Sequence, residues 1–185
     1  ESATFVPTPE VWVDALAFEE RAARPAHEAD LDALREAADL YRGMLLEGVQ
    51  PSDAPAFDEW LFFKRDRLEQ MALSTFQRLI DGLLDRGEYR AALDPARRLV
   101  RLDPLYEGAY RRLMRIHGGL GDRNAVRHQF ELCESVLARE LGVEPDAETR
   151  TLYQALMADR PSPPRPARTA PVPRIVESEA SVLPF

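Results

Sequence analysis

The sequence predicts an all-α fold, an α-α superhelix of helical hairpins, and three observations predict it. Apolar residues recur three and four positions apart, as in Phe76, Leu79 and Leu83, the period of a helix with one buried face. The chain also repeats itself at an offset of 34 residues: Phe76 meets Tyr110, Leu79 meets Leu113, Gly87 meets Gly121, Glu88 meets Asp122, Ala91 meets Ala125 and Leu102 meets Val136. Glycine and proline fall mainly at the joins between periodic segments, where they end helices.

Taken in order, residues 1–11 are proline-punctuated and lack a helical period, so they read as an extended lead-in from a preceding domain. Val11 to Arg24 makes a short helix around Leu16 and Phe18. A stronger helix is expected from Leu31 to Leu46, on Leu31, Leu34, Ala38, Tyr41 and Leu45, with Gly48 beyond its end as a stop. Pro51 and Pro55 bracket a loop. From Phe57 to Arg86 a long apolar stripe through Trp60, Leu61, Leu68, Phe76 and Leu83 predicts helix, broken or whole.

The repeat then gives two units, each an amphipathic helix, a Gly-acidic turn and a second helix, the first closed by Asp103-Pro104. Gly87 and Gly121 can adopt positive φ, and Asp122 can cap the helix after it. These positions resemble the tetratricopeptide pattern of a large residue, a leucine three later, a small-residue pair and a closing proline. Pro95 departs from that pattern and is expected to bend or shorten its helix, because it removes one hydrogen bond. The second copy runs on through Leu141, so Pro145 comes late, and Ala147 to Met157 reads as a closing helix that caps the stack. Residues 12–158 thus form the domain. Residues 159–185, with seven prolines after Asp159 and an Arg-Pro alternation, read as a semi-extended linker to a following domain.

Charge and composition exclude several functions. The apolar fraction of 45% and charged fraction of 30% are those of a folded globular chain. From Asp159 onward four Arg meet one Asp and two Glu, so the net −8 of the chain resolves into +1 on that segment and −9 on the residues before it. An acidic domain is not built to neutralise phosphates, so nucleic acid is not its direct ligand. One cysteine, Cys133, allows neither an internal disulfide nor a multi-thiolate metal site and is compatible with a reducing cytoplasm. No run approaches the roughly 18 to 20 apolar residues that span a bilayer, so a soluble, cytoplasmic protein is expected.

No cofactor, metal or catalytic set is nominated. His117 takes the apolar place that Leu83 holds in the first repeat and reads as a packed histidine; His128 and Cys133 are five apart, a spacing that puts them on different faces. Cys133 matches Leu99 and reads as a small buried apolar residue. Gly118 to Asp122 lacks the Lys-Ser/Thr ending of a phosphate loop and follows a helix. The candidate partner-binding residues are Arg111, Arg115, Phe62 and Phe63. Arg111 and Arg115 share a face of the helix that would line a concave groove, where they either dock an acidic peptide or are spent on helix-surface pairing such as Glu107 with Arg111. Of the run Trp60 to Phe63, Trp60 is assigned to the core and Phe62 or Phe63 to an interface.

Several runs carry a more specific resemblance: Ala37 to Gly43, Leu45 to Gly48, and Phe57 through Trp60-Leu61 with Arg65, Arg67 and Leu68. With the closing Glu140-Leu141-Gly142-Val143-Glu144-Pro145, then Glu148-Thr149 and Leu152-Tyr153, these look like the bacterial transcriptional activator domain. That domain occurs in regulators of the Streptomyces antibiotic regulatory protein type and in larger multidomain regulators. In that family it follows a winged-helix DNA-binding domain and, in larger members, precedes a nucleotide-binding ATPase. The resemblance implies a non-enzymatic module that supports dimerisation, contacts RNA polymerase or relays a signal between neighbouring domains, with DNA reached only through the preceding domain. The alternative is a tetratricopeptide sensor or scaffold of a signalling ATPase with no direct role in transcription.

Overall fold

The computed structural model describes residues 12–23, 31–49 and 54–158. The expected lead-in, the Pro51 side of the first loop, His27 and the expected linker lie outside the described residues. Among the described residues there are seven helices and no strand: α1 Asp14–Ala22, α2 Leu31–Leu40, α3 Pro55–Asp85, α4 Tyr89–Leu102, α5 Glu107–Gly119, α6 Arg123–Leu141 and α7 Ala147–Ala158. None of them is long and apolar enough to cross a membrane.

Helices α3 with α4 and α5 with α6 are the two hairpins that the 34-residue offset predicts. Their turns share one set of backbone bonds. Glu88 N–H donates to Leu83 O at 2.9 Å and Gly87 N–H to Leu84 O at 2.9 Å; 34 residues on, Asp122 N–H donates to His117 O and Gly121 N–H to Gly118 O, again at 2.9 Å. This crossed pair of bonds satisfies carbonyls that a helix end leaves open, and it needs a left-handed residue after the helix. Gly87 supplies φ 71° and Gly121 φ 77°. Asp122 then caps α6 by accepting from Ala125 N–H at 3.0 Å. Glu88 makes no such cap; its carboxylate lies 3.5 Å from Arg35 of α2.

Helix α4 lies between α3 and α5 and meets them through Ala92 and Ala96, one turn apart and fully buried. Pro95 sits inside α4 without shortening it, since the helix runs on to Leu102. The carbonyl that Pro95 leaves without a donor belongs to Ala91, which is exposed, so water can serve it. The main core draws on Leu68, Phe76 and Leu79 of α3, Leu99 of α4 and Leu113 and Ile116 of α5, with Phe18 of α1 and Leu34 of α2 packed on it. Helix α7 closes the far end against α5 and α6, with Tyr153 stacked on Phe130 at 4.2 Å and 12°.

Two expectations need correction. Helix α2 ends at Leu40 instead of Leu46, and residues 41–48 turn back. Arginines from two other helices take the carbonyls freed there. Arg98 of α4 donates to Ala38 O at 2.8 Å and to Tyr41 O, and Arg65 of α3 donates to Leu45 O and Leu46 O, each at 2.8 Å. Tyr41 and Leu45 still pack on the core from this turn, which is why they keep a helical spacing. Second, Trp60 is not a core residue: it is 50% exposed, and its neighbour Leu61 is buried in its place. Leu61, not Trp60, continues the row of Leu68, Ala72, Thr75 and Leu79, at seven, four, three and four residues.

His117 and Cys133 occupy the interior places of Leu83 and Leu99. Burial pushes the Cys133 thiol up to about 12, helped by Glu107 and Asp146. Burial likewise lowers His117 below its ordinary 6.5; Asp122 opposes this, while Arg97 and His128 add to it. A base whose folded pKa is depressed contributes stability that is present above the unfolded value and is lost as pH falls through the folded one. His117 therefore costs stability progressively as pH drops below its ordinary 6.5. His117→Leu, which restores the residue of the first hairpin, is expected to flatten that loss, as measured by urea unfolding at about pH 7.5 and about pH 5.5.

Candidate partner-binding surfaces

Helix α3 is longer than the body it packs on. Ahead of Leu68, where the main core cluster begins on α3, the one buried residue is Leu61, 3% exposed, although the helix starts at Pro55. Pro55 sits in the first turn, where its missing N–H costs nothing. Two polar ties hold these leading turns: the Arg65 bonds to the 41–48 turn, and Lys64, whose ammonium lies 2.7 and 2.8 Å from the two Glu19 oxygens of α1. Arg67 reaches the same carboxylate more loosely, at 3.6 Å. Phe62 is 67% exposed and Phe63 is 62% exposed. Their rings meet edge to face at 5.6 Å, and Trp60 rests on Phe57 at 5.4 Å. Trp60, Phe62 and Phe63 thus leave three large rings exposed within four residues of one helix, a candidate contact surface.

The second surface is a groove near the other end of α3, floored by Leu84, Tyr89 and Leu156 and edged by Asp81, Asp85 and Arg115. Gly118 and Gly119 let its walls close. A Cβ on Gly118 would lie 2.8 Å from Leu156, and one on Gly119 2.4 Å from the Tyr89 ring. Arg115 is exposed and has no ion-pair or hydrogen-bond partner among the described residues. Arg112 beside it grips Asp81 with two bonds of 2.9 and 2.7 Å. Burial opposes the Arg112 charge, but Asp81 and the Tyr106 hydroxyl more than offset this and raise its pKa.

Arg111 is engaged inside the fold. Its guanidinium donates to Asp146 Oδ2 at 3.0 Å and Thr149 Oγ1 at 2.9 Å and lies 3.2 Å from Glu148. Glu107 pairs with the same loop instead of with Arg111: it accepts from Asp146 N–H at 2.9 Å. Asp146 in turn caps α7, accepting from Thr149 N–H at 2.6 Å. Burial raises the Asp146 pKa, but the bonds from Thr149 and from Arg111 outweigh it and hold the carboxyl below its usual value. Glu107 and Arg111, one turn apart on α5, thus clamp the start of α7. The clamp joins residues 35 positions or more apart, so spacing along one helix could not reveal it; the cap signal of Asp146 ahead of α7 could have.

The four candidate residues therefore fall in three places. Phe62 and Phe63 lie together at the leading end of α3, Arg115 edges the groove, and Arg111 is in the clamp. Helical rise puts Phe63 and Asp81 about 27 Å apart along α3, so the aromatic end and the groove are separate surfaces. Among the described residues no group of three or more His, Cys, Asp or Glu is placed to hold a metal ion.

The family model for the bacterial transcriptional activator domain matches residues 13–157. The chain belongs to that family. No curated protein and no solved structure matches it. The matched span of this bacterial transcriptional activator domain runs from the residue before α1 to the penultimate residue of α7, so both the α3 aromatics and the α7 clamp are parts of the domain. Its function class is transcription regulation. Arg111→Ala is expected to weaken the docking of α7 by about 1.5 to 3 kcal/mol, the range for hydrogen bonds to charged groups, seen as a lower urea midpoint and faster amide exchange across residues 147–158.

Proposed function

We propose that this activator domain is a protein-binding arm of a bacterial transcription regulator. It works in the cytoplasm without enzymatic activity and reaches DNA only through a winged-helix domain that precedes it. The observation that carries the reading is the leading end of α3, where Trp60, Phe62 and Phe63 are half to two-thirds exposed while only Leu61 among their neighbours is buried. Burial of such rings is favourable by about 25 cal/mol per Å², and aromatic residues are over-represented where protein partners bind. The partner classes are RNA polymerase, a second copy of the chain and the neighbouring domains. The net −9 on the residues before Asp159 supports leaving phosphate contacts to another domain. The groove edged by Arg115 is a second, smaller contact for an acidic segment.

The test is capture of RNA polymerase subunits and of the flanking domains of the parent regulator by the folded domain, scored beside promoter output from that regulator. Phe62→Ser with Phe63→Ser is expected to weaken capture of at least one of them tenfold or more and to lower output in parallel. Arg115→Glu is expected to have a smaller effect. Full capture and full output by the double phenylalanine variant would remove the aromatic end from the function.

A further inference from the structure

Beside the end of α2 lies a cleft that neither proposed surface uses. Helix α1, the turn 41–48 and Leu68 of α3 surround about 370 Å³, within the range of roughly 300 to 1,000 Å³ typical of small-molecule sites. Phe18 and Leu68, both buried, floor it, and the Tyr41 ring leans on Phe18 at 5.4 Å and 51°. Met44 and Leu46 line it while remaining exposed. Leu46 is the one non-glycine residue at positive φ among the described residues, at 50°, and its carbonyl accepts from Arg65 at 2.8 Å. A leucine keeps that conformation only where its surroundings impose it, and such strain gathers at ligand clamps. Trp60, Phe62 and Phe63 take no part in the lining, so this site stands or falls independently of the aromatic surface.

The polar groups of the lining are mostly acidic. Asp14 and Glu47 both belong to it, and neither carboxylate has an ion-pair partner among the described residues; the one bond of Asp14 is local, its Oδ1 accepting from Ala15 N–H at 2.7 Å. The Tyr41 hydroxyl has no hydrogen-bond partner among the described residues. Burial raises the Tyr41 pKa and Glu69 adds to this, so the hydroxyl keeps its proton. Arg42, the one base in the lining, also borders the adjoining cleft with Arg98 and Arg101. We infer that the cleft is a binding site for small apolar amines, with the ring or chain of the ligand on Phe18, Tyr41 and Leu68 and its ammonium group on Glu47 and Asp14. The ammonium would donate charge-assisted hydrogen bonds to carboxylates that have no other cation, while the body of the ligand covers apolar surface that the turn leaves open to water. An anion of the same shape meets two unpaired carboxylates and is rejected.

Titration of the 185-residue protein, labelled with nitrogen-15 and followed by amide NMR, tests this with three probes of one shape: tryptamine, its neutral alcohol analogue tryptophol and the anion indole-3-propionate. Tryptamine has about a dozen non-hydrogen atoms, so a Kd on the order of 0.1 to 1 mM is expected. The expected result is saturable shifts for amides of residues 14–18, 40–47 and 68 with tryptamine, binding at least fivefold weaker with tryptophol, and no shift in those residues with indole-3-propionate. Asp14→Asn together with Glu47→Gln is expected to weaken tryptamine at least tenfold and to leave tryptophol unchanged, with far-UV circular dichroism showing the same helix content. Absence of saturable shifts in those residues up to about 10 mM tryptamine, well above the expected Kd, overturns the inference. So does binding of the anion as tightly as the amine, or full tryptamine affinity in the double variant.

Discussion

Close packing of α3, α4 and α5 through alanine is the constraint on which the rest of the structure depends. Ala72, Ala92, Ala96 and Ala109 are all fully buried, and small residues at helix contacts let the axes approach toward the short end of the roughly 8 to 10 Å range. Large residues then fill the space to either side, with Phe76, Leu79 and Leu83 on α3 and Leu113 and Ile116 on α5. With α4 seated this deeply, Arg98 can extend across the Phe76 ring at 4.7 Å to the end of α2. There it takes the Ala38 and Tyr41 carbonyls, while Arg65 takes those of Leu45 and Leu46. The small-residue contacts set the helix positions, and the arginine bonds record that setting at the surface.

The same packing treats the two ends of the stack differently. At the far end α7 covers the second hairpin, held by the Phe130 and Tyr153 stack and by the clamp from Glu107 and Arg111 on Asp146. An end closed with polar bonds and partly buried rings offers little to a partner. At the near end the main core cluster begins at Leu68 and only Leu61 is buried ahead of it, while the helix continues back to Pro55. A helix extension is cheap once the packed part has nucleated it, but its apolar rings gain nothing in water. Exposed aromatics on a helix fixed at one end are preorganised for the contact proposed above, since little ordering would remain to be done.

The hairpins were legible in the sequence because a repeat reports the same solution twice. Gly87 and Gly121, or Leu83 and His117, are set by one turn geometry and one packing position, so a match 34 residues apart carries information that neither copy holds alone. The closing helix was legible for a simpler reason, since Pro145 marks the break before it. What failed lay where contacts from distant segments decide. Residues 41–48 keep a helical spacing yet turn, because Arg65 and Arg98 supply the bonds that a continued helix would have made. In the run Trp60 to Phe63 every residue is apolar, so composition could not say which one faces inward. The register inherited from Leu68 and Leu79 selects Leu61 and turns Trp60 out. The aromatic surface itself was partly legible in Phe62 and Phe63.

Helix α3 has two stabilities, a packed part from Leu68 onward and leading turns held by Leu61 alone among buried residues and by the Lys64 and Arg65 bonds. Native-state hydrogen exchange on dilute protein, resolved by residue, measures this directly, because amides outside the core exchange by local opening and core amides by global unfolding. Exchange across residues 55–67 should be much faster than across 68–85, with the change near Leu68. Equal, deep protection along the whole of α3 would show that its leading turns are already buried in the domain, and the account would fail.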